Sequence, residues 1–250
     1  MSAIVAIPAR LNSSRFPRKV LVDIHGHSML WHVYQGVSKA KQVSEIWVLT
    51  DSEEVYEEAV SWGAKAMMTS PECPSGTARI ASVMDQLKGD IIVNVQGDEP
   101  MISGAVVDGV VTALEESDAD AATPVYRIFK PEEIADPNLV KAVRDAEGFA
   151  LYFSRSPIPY VRDLDLDKWS LTTAFWGHVG LYAYRRKSLA EYVELPEAKL
   201  ESAEKLEQLR LLEFGKKIIT VEIEHRLYGV DTPADLEHVK RLLDPNQSSL

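Results

Sequence analysis

A mostly parallel α/β fold is what this sequence predicts, and three observations predict it. Short β-branched runs, Ile4 to Ile7, Ile46 to Thr50, Lys65 to Thr69, Ile91 to Val95 and Ala121 to Tyr126, alternate with longer segments whose apolar residues recur at helical spacing. Repetition of that kind implies parallel strands covered by helices. Composition agrees, because 46% hydrophobic and 26% charged residues over 250 positions describe an ordered globular chain long enough to bury a sizeable core.

The elements follow in order. IVAI runs as a strand into the loop PARLNSSRFPRK. MLWHVYQGVSKAK predicts the first helix, SEEVYEEAVSW the second with Asp51 and Ser52 as candidate caps, GTARIASVMDQL the third and AVVDGVVTALEES the fourth. After about residue 130 the rhythm changes. LVKAVRDAEGFALYFSRSPIP predicts two antiparallel strands turning at Glu147-Gly148, and VGLYAYR alternates like another strand. LESAEKLEQLRLLEFG predicts a helix ending at Gly215, a good residue just past a helix end. IITVEI is a strand, and a last helix opens with Thr232 as N-cap and Pro233 at its first position. DPNQSSL reads as a frayed tail. With no repeat and no low-complexity linker, the chain reads as one domain, 1–250, carrying an antiparallel insertion at roughly 130–190.

Charge narrows the function. A formal net charge of -11 argues against a protein that coats nucleic acid, which needs a broad basic surface; small anionic ligands remain allowed. The single cysteine, Cys73, excludes an intrachain disulfide and a Cys-rich zinc site and suits a reducing cytosol. No signal-peptide pattern opens the chain, and no run approaches the ~18 apolar residues of a membrane span. The expectation is a cytoplasmic protein with neither nucleic acid nor membrane as partner.

Against that acidic background, Arg10, Arg15, Arg18 and Lys19 crowd one loop at a strand end, where α/β sheets bind ligands. Such cations suit phosphate oxygens, although a solvated basic loop is the bland alternative. IIVNVQGDEPMI delivers Asp98 to the mouth of the sheet straight from a buried strand, a placement suited to a hard cation such as Mg²⁺ or simply to a turn. Asp231 in GVDTPADL is a cap or turn carboxylate unless it lies near Asp98, since two such acids repel without a cation between them. CPSGTARI puts Ser75 and Gly76 ahead of a helix containing Arg79, where main-chain N–H groups can meet a ligand. Cys73 reads as a packed residue. The six histidines show no HxH or HExxH spacing, and His178, beside Gly180 and Tyr182, reads as a core or surface histidine. Glu207 and Gln208 read as an ordinary helical pair.

Together IPARLNSSRFPRK, SGTARI, VNVQGDEPMI, DPNLVKAV, ALYFSRSPIP, HVGLYAYR, KLEQLRLLEFG and VDTPADL resemble the 3-deoxy-manno-octulosonate cytidylyltransferases, or CMP-Kdo synthetases, over nearly the whole chain. These enzymes activate the Kdo sugar of the lipopolysaccharide inner core. The resemblance implies a Rossmann-like sheet of the sugar nucleotidyltransferase type, with an antiparallel arm that forms a homodimer. It implies that Pro8, Ala9, Arg10, Arg15 and Lys19 bind the nucleotide, with Arg10 and Lys19 at the CTP triphosphate, and that Ser75, Gly76 and Arg79 line the cytidine side. Asp98 and Asp231 would hold Mg²⁺ and, with Arg10 and Lys19, form the catalytic set. Gln96, Arg155, His178, Tyr182, Glu207 and Gln208 would face the 3-deoxy sugar acid.

Two stretches depart from the family pattern. The loop reads PRKVL where PGKPL is usual, so Arg18 and Val20 replace glycine and proline; if that glycine has positive φ, Arg18 must adopt it or the loop must shift. Gly177 stands where a basic residue is usual. Alternatives are a cytidylyltransferase for an 8-amino analogue of Kdo or for a sialic-acid-like sugar, and a nucleotide-sugar binding module without turnover.

Overall fold

The computed structural model describes residues 1–12 and 16–244; Arg15 and all but the first residue of the tail expected to fray lie outside the described residues. The chain forms two compact units, Met1–Asp108 with Leu227–Leu250, and Gly109–Arg226.

The first unit contains β1 (Ala3–Pro8), a hairpin of β2 (Asp23–Ile24) and β3 (His27–Ser28), β4 (Val43–Thr50), β5 (Lys65–Met68) and β6 (Ile91–Asn94). Its helices are α1 (Met29–Val37), α2 (Glu53–Ser61), α3 (Gly76–Ser82), the start of α4 (Gly104–Glu116) and a C-terminal helix (Pro233–Leu242). β1 and β6 are buried along their whole lengths, as strands without an exposed face require. Their sheet runs β5-β4-β1-β6, all parallel. The chain moves outward from β1 to β4 and β5 and then returns to the other side of β1, so the order reverses between β1 and β6. A crevice outside the carboxyl ends of the strands is the usual ligand site at such a reversal. The hairpin turn uses His25 (φ 52°) and Gly26 (φ 88°), and positive φ at both central positions suits a two-residue turn.

The second unit is built on β7 (Ala121–Ile128). It pairs in parallel with β12 (Ile218–Ile223) and antiparallel with β10 (Phe175–His178) and β11 (Tyr182–Arg185). β8 (Lys141–Arg144) continues the sheet from β10, and β9 (Ala150–Ser154) ends it. The β8–β9 pair turns at Gly148, whose φ is 91°, as Glu147-Gly148 predicts. Helices α5 (Pro131–Ala135), α6 (Trp169–Thr172) and α7 (Arg186–Glu194) join these strands.

Two local expectations need correction. LESAEKLEQLRLLEFG is two helices, α8 (Lys199–Glu204) and α9 (Gln208–Glu213), separated where Lys205 turns left-handed at φ 55° and its N–H bonds back to the Glu201 carbonyl. The break buries Leu206 and Leu209, which apolar periodicity along one continuous helix does not foresee. At α2, Ser52 takes the N-cap position without a side-chain cap bond, and Asp51 is committed elsewhere. The C-terminal helix, α10 in chain order, starts as predicted: the Thr232 hydroxyl accepts from the Asp235 N–H, and the Asp235 carboxylate accepts from the Thr232 N–H in return.

Candidate active site

The carboxyl ends of β1 and β6 lead into two loops that meet at one side chain. β1 ends at Pro8, and the chain passes Ala9 and Arg10 and reaches Lys19, which opens a short 3₁₀ turn. After β6 it passes Gln96 and Gly97 to Asp98. The Lys19 ammonium donates to Asp98 Oδ2, to Asp231 Oδ1 at 2.9 Å and to the Val230 carbonyl at 3.2 Å. Asp231 arrives because Val230, Leu236 and Val239 pack with Ile24 and Met29, anchoring α10 on the hairpin and the start of α1. Burial alone would lower the pKa of Lys19, but the charges and hydrogen bonds of Asp98 and Asp231 outweigh it and the net shift is upward. An ammonium that stays charged at neutral pH therefore holds an oxygen of each carboxylate, which is the proximity that sequence alone left open.

Around this point the main chains crowd. A Cβ on Gly97 would lie 3.1 Å from the Pro8 carbonyl, and one on Gly76 would lie 3.0 Å from Pro8 Cγ and 3.1 Å from Gln96 Oε1. Gln96 is oriented from below: its amide donates to Asn94 Oδ1 at 2.9 Å, and buried Asn94 donates to Thr77 Oγ1 at 3.3 Å. Ser75 caps α3 by accepting from the Ala78 N–H. Arg79, only 2% exposed, donates to Asp51 at 2.8 Å and to Thr69 Oγ1, so its guanidinium ties the ends of β4 and β5 together. Exposed Arg10 lines a cavity of about 280 Å³ with Asn12, Asp51, Ser52, Pro71 and Cys73.

The second unit carries the remaining candidates. Burial pushes the His178 pKa down to about 3 and that of the Tyr182 phenol well above its usual value. Both groups are therefore neutral. Tyr182 Oη lies 2.9 Å and Thr123 Oγ1 3.0 Å from His178 Nε2, while Thr123 Oγ1 also lies 2.8 Å from the Leu181 carbonyl. The Thr123 hydroxyl and the Tyr182 phenol thus both close on the same ring nitrogen of a neutral imidazole. Arg155 is half-buried; its Nε donates to the Glu204 carbonyl and its Nη1 to the Pro137 carbonyl, and it has no carboxylate ion-pair partner among the described residues. Glu207 stands at the N-cap of α9, and the Nε2 of buried Gln208 has no hydrogen-bond acceptor among the described residues.

The family model for cytidylyltransferases matches residues 4–218. A 3-deoxy-manno-octulosonate cytidylyltransferase of Solibacter usitatus is 48% identical over 94% of this chain and 92% of its own length, and one of Geobacter sulfurreducens is 46% identical over 96% and 98%. A CMP:2-keto-3-deoxy-manno-octonic acid synthetase solved in complex with CTP is 43% identical, with a TM-score of 0.91 over 97% of this chain and 98% of that one. The chain belongs to the 3-deoxy-manno-octulosonate cytidylyltransferases. It is a nucleotidyltransferase.

Within this cytidylyltransferase Arg18 and Gly177 each have a structural account. Arg18 adopts the conformation expected of the family's glycine, φ 60° and ψ 20°, and reaches Glu54 of α2 with its guanidinium. A Cβ at Gly177 would lie 2.3 Å from Tyr126 Cζ, so a basic side chain there requires Tyr126 to move. Sequence reasoning missed Asn94, Thr123, Lys141 and Glu204, which touch the expected residues from behind. Only Asn94 gave a signal, as the polar residue ending the apolar strand IIVN.

Proposed function

We propose that this cytidylyltransferase transfers a cytidylyl group from CTP to the anomeric hydroxyl of Kdo, giving CMP-Kdo and pyrophosphate for lipopolysaccharide biosynthesis. The observation that carries the reading is the convergence of Asp98 and Asp231 on one cation, Lys19, at the reversal point of the parallel sheet. Two carboxylate oxygens brought to a shared point suit a hard divalent ion. The described residues hold no cluster of three or more metal-ligating side chains, so substrate phosphates and water would complete the shell, the usual arrangement for Mg²⁺. When bound, Mg²⁺ would supply charge neutralisation at the α-phosphate and acidify the attacking hydroxyl.

The protein's own part is positioning and electrostatics. Arg10, with Arg15 assisting, would neutralise the triphosphate and the pyrophosphate that departs; Lys19 would join them when a bound cation takes over Asp98 and Asp231 and frees N–H bonds now given to those carboxylates. Pro8, Ala9, Ser75 and Gly76 would bring main chain close to the nucleotide, and Arg79 would hold Asp51 and the end of β5 behind it. On the sugar side, Arg155, whose guanidinium has no carboxylate ion-pair partner among the described residues, would take the substrate's carboxylate. Gln208 Nε2 would offer a neutral donor to its hydroxyls, with His178, Gln96, Tyr182 and Glu207 completing the grip. A homodimer through the antiparallel strands belongs to the same reading. Leu151, 60% exposed on the terminal strand β9, is a residue that such a contact would cover, and sedimentation equilibrium checks it.

A panel of sugar acids with CTP, read as pyrophosphate release, tests the substrate. Kdo should give the highest kcat/KM. Preference for the 8-amino analogue or a sialic acid would overturn the sugar assignment, and CTP binding without release for any sugar would overturn the enzymatic one.

A further inference from the structure

Lys141 is fully buried, and although the charges of Asp136 and Glu204 act on it, it has no direct carboxylate ion pair among the described residues. Its ammonium donates instead to three main-chain carbonyls, those of Asp136 at 2.7 Å, Leu139 at 2.5 Å and Arg155 at 2.6 Å. All three N–H bonds are thereby used, so Lys141 offers nothing to a substrate directly. Burial pulls its pKa downward, the expected penalty for an ammonium removed from water. A charge buried in this way needs a reason.

The reason lies in what the three carbonyls belong to. Asp136 and Leu139 bracket the turn whose Pro137 carbonyl accepts from Arg155 Nη1 at 3.2 Å. The third carbonyl is that of Arg155 itself. From the opposite side, the Glu204 carboxylate accepts from the Arg155 N–H at 3.0 Å and from Ser154 Oγ at 2.6 Å, and the Glu204 carbonyl accepts from Arg155 Nε at 2.8 Å. The Arg155 peptide is thus held at its carbonyl by a cation and at its N–H by an anion. Charge-assisted bonds of this kind fix a backbone more firmly than neutral ones.

We propose that Lys141 is a positioning residue for the sugar-acid substrate: its ammonium, caged by three carbonyls, sets the place of Arg155 and the turn that steadies the Arg155 guanidinium. The inference rests on the reading of Arg155 as the group that takes the sugar's carboxylate. It makes Lys141 act only through Arg155, and that is what a test can isolate.

The experiment is steady-state kinetics of the full chain carrying Lys141→Met, Arg155→Ala and both, with Kdo and CTP varied separately. Lys141→Met is expected to raise the KM for Kdo roughly tenfold or more while the KM for CTP stays within about twofold, since displacement of a binding group by an ångström is costly. The double variant should be no worse than Arg155→Ala alone. A Lys141→Met effect that persists in the Arg155→Ala background overturns the proposal, as does an equal loss for both substrates, which is what general loosening of the fold produces. Normal Kdo KM in Lys141→Met beside a raised one in Arg155→Ala overturns the proposal alone. Normal Kdo KM in Arg155→Ala overturns the assignment of Arg155 and the proposal with it. If Lys141→Met does not fold, Lys141→Gln, which keeps two N–H donors, takes its place with the same expectations at smaller amplitude.

Discussion

Lys19 finds its carboxylate partners 79 and 212 positions away in sequence, so the most informative contact in the molecule is one that local pattern could suggest but not establish. Asp98 was legible because a carboxylate directly after a buried strand is conspicuous, and the basic loop because its cations crowd an otherwise acidic chain. The network around His178 was not, since its meaning depends on Thr123 and Tyr182 closing over one ring nitrogen. That network makes a pH prediction. The imidazole stays neutral in the folded protein down to about 3, whereas the unfolded chain takes up the proton as the pH falls through the ordinary histidine value of 6.5. The folded state therefore has this group's full contribution above about pH 6.5 and loses it progressively below, by up to ~1.4 kcal/mol per pH unit. Urea unfolding at pH 7 and 5.5 should show a smaller pH dependence for His178→Gln than for the parent chain. Equal dependence would mean that the imidazole titrates normally in the folded state.

At the scale of elements, strands and helix starts were readable wherever one residue type has one physical use. Thr232-Pro233 opened a helix, Gly148 turned a hairpin, and Gly215, at φ 74°, ended α9. Features that needed a tertiary partner were hidden. Lys205 breaks a helix that periodicity would continue, and Asp51 leaves its capping position to pair with Arg79. The start of α10 also has functional reach. The Asp235 carboxylate accepts from the N–H groups of Thr232 at 2.8 Å and Asp231 at 3.1 Å, so the cap that begins the helix also sets the backbone of a proposed metal ligand. Asp235→Ala should cost about 1 kcal/mol in denaturant unfolding, the usual scale for a lost cap, and should raise the Mg²⁺ concentration needed for half-maximal turnover. Lost stability with unchanged Mg²⁺ dependence would confine the cap to a structural role.

For the molecule as a whole, the fold class and the family were legible because parallel strands leave apolar runs and because loops at strand ends carry their chemistry in short stretches of sequence. Less legible was the layer beneath those loops, where Asn94, Lys141 and Glu204 orient the expected residues through hydrogen bonds to main chain and side chain. The account stands on Asp98 and Asp231 acting as a pair toward a divalent cation, with Lys19 as the charge that gathers them. Pyrophosphate release from CTP and Kdo by Asp98→Asn, titrated with Mg²⁺, tests this most directly. The account predicts a fall in turnover of at least about 10²-fold, on the scale of losing one preorganised electrostatic group, together with weakened Mg²⁺ dependence. Near-parental turnover with the same Mg²⁺ dependence would contradict it.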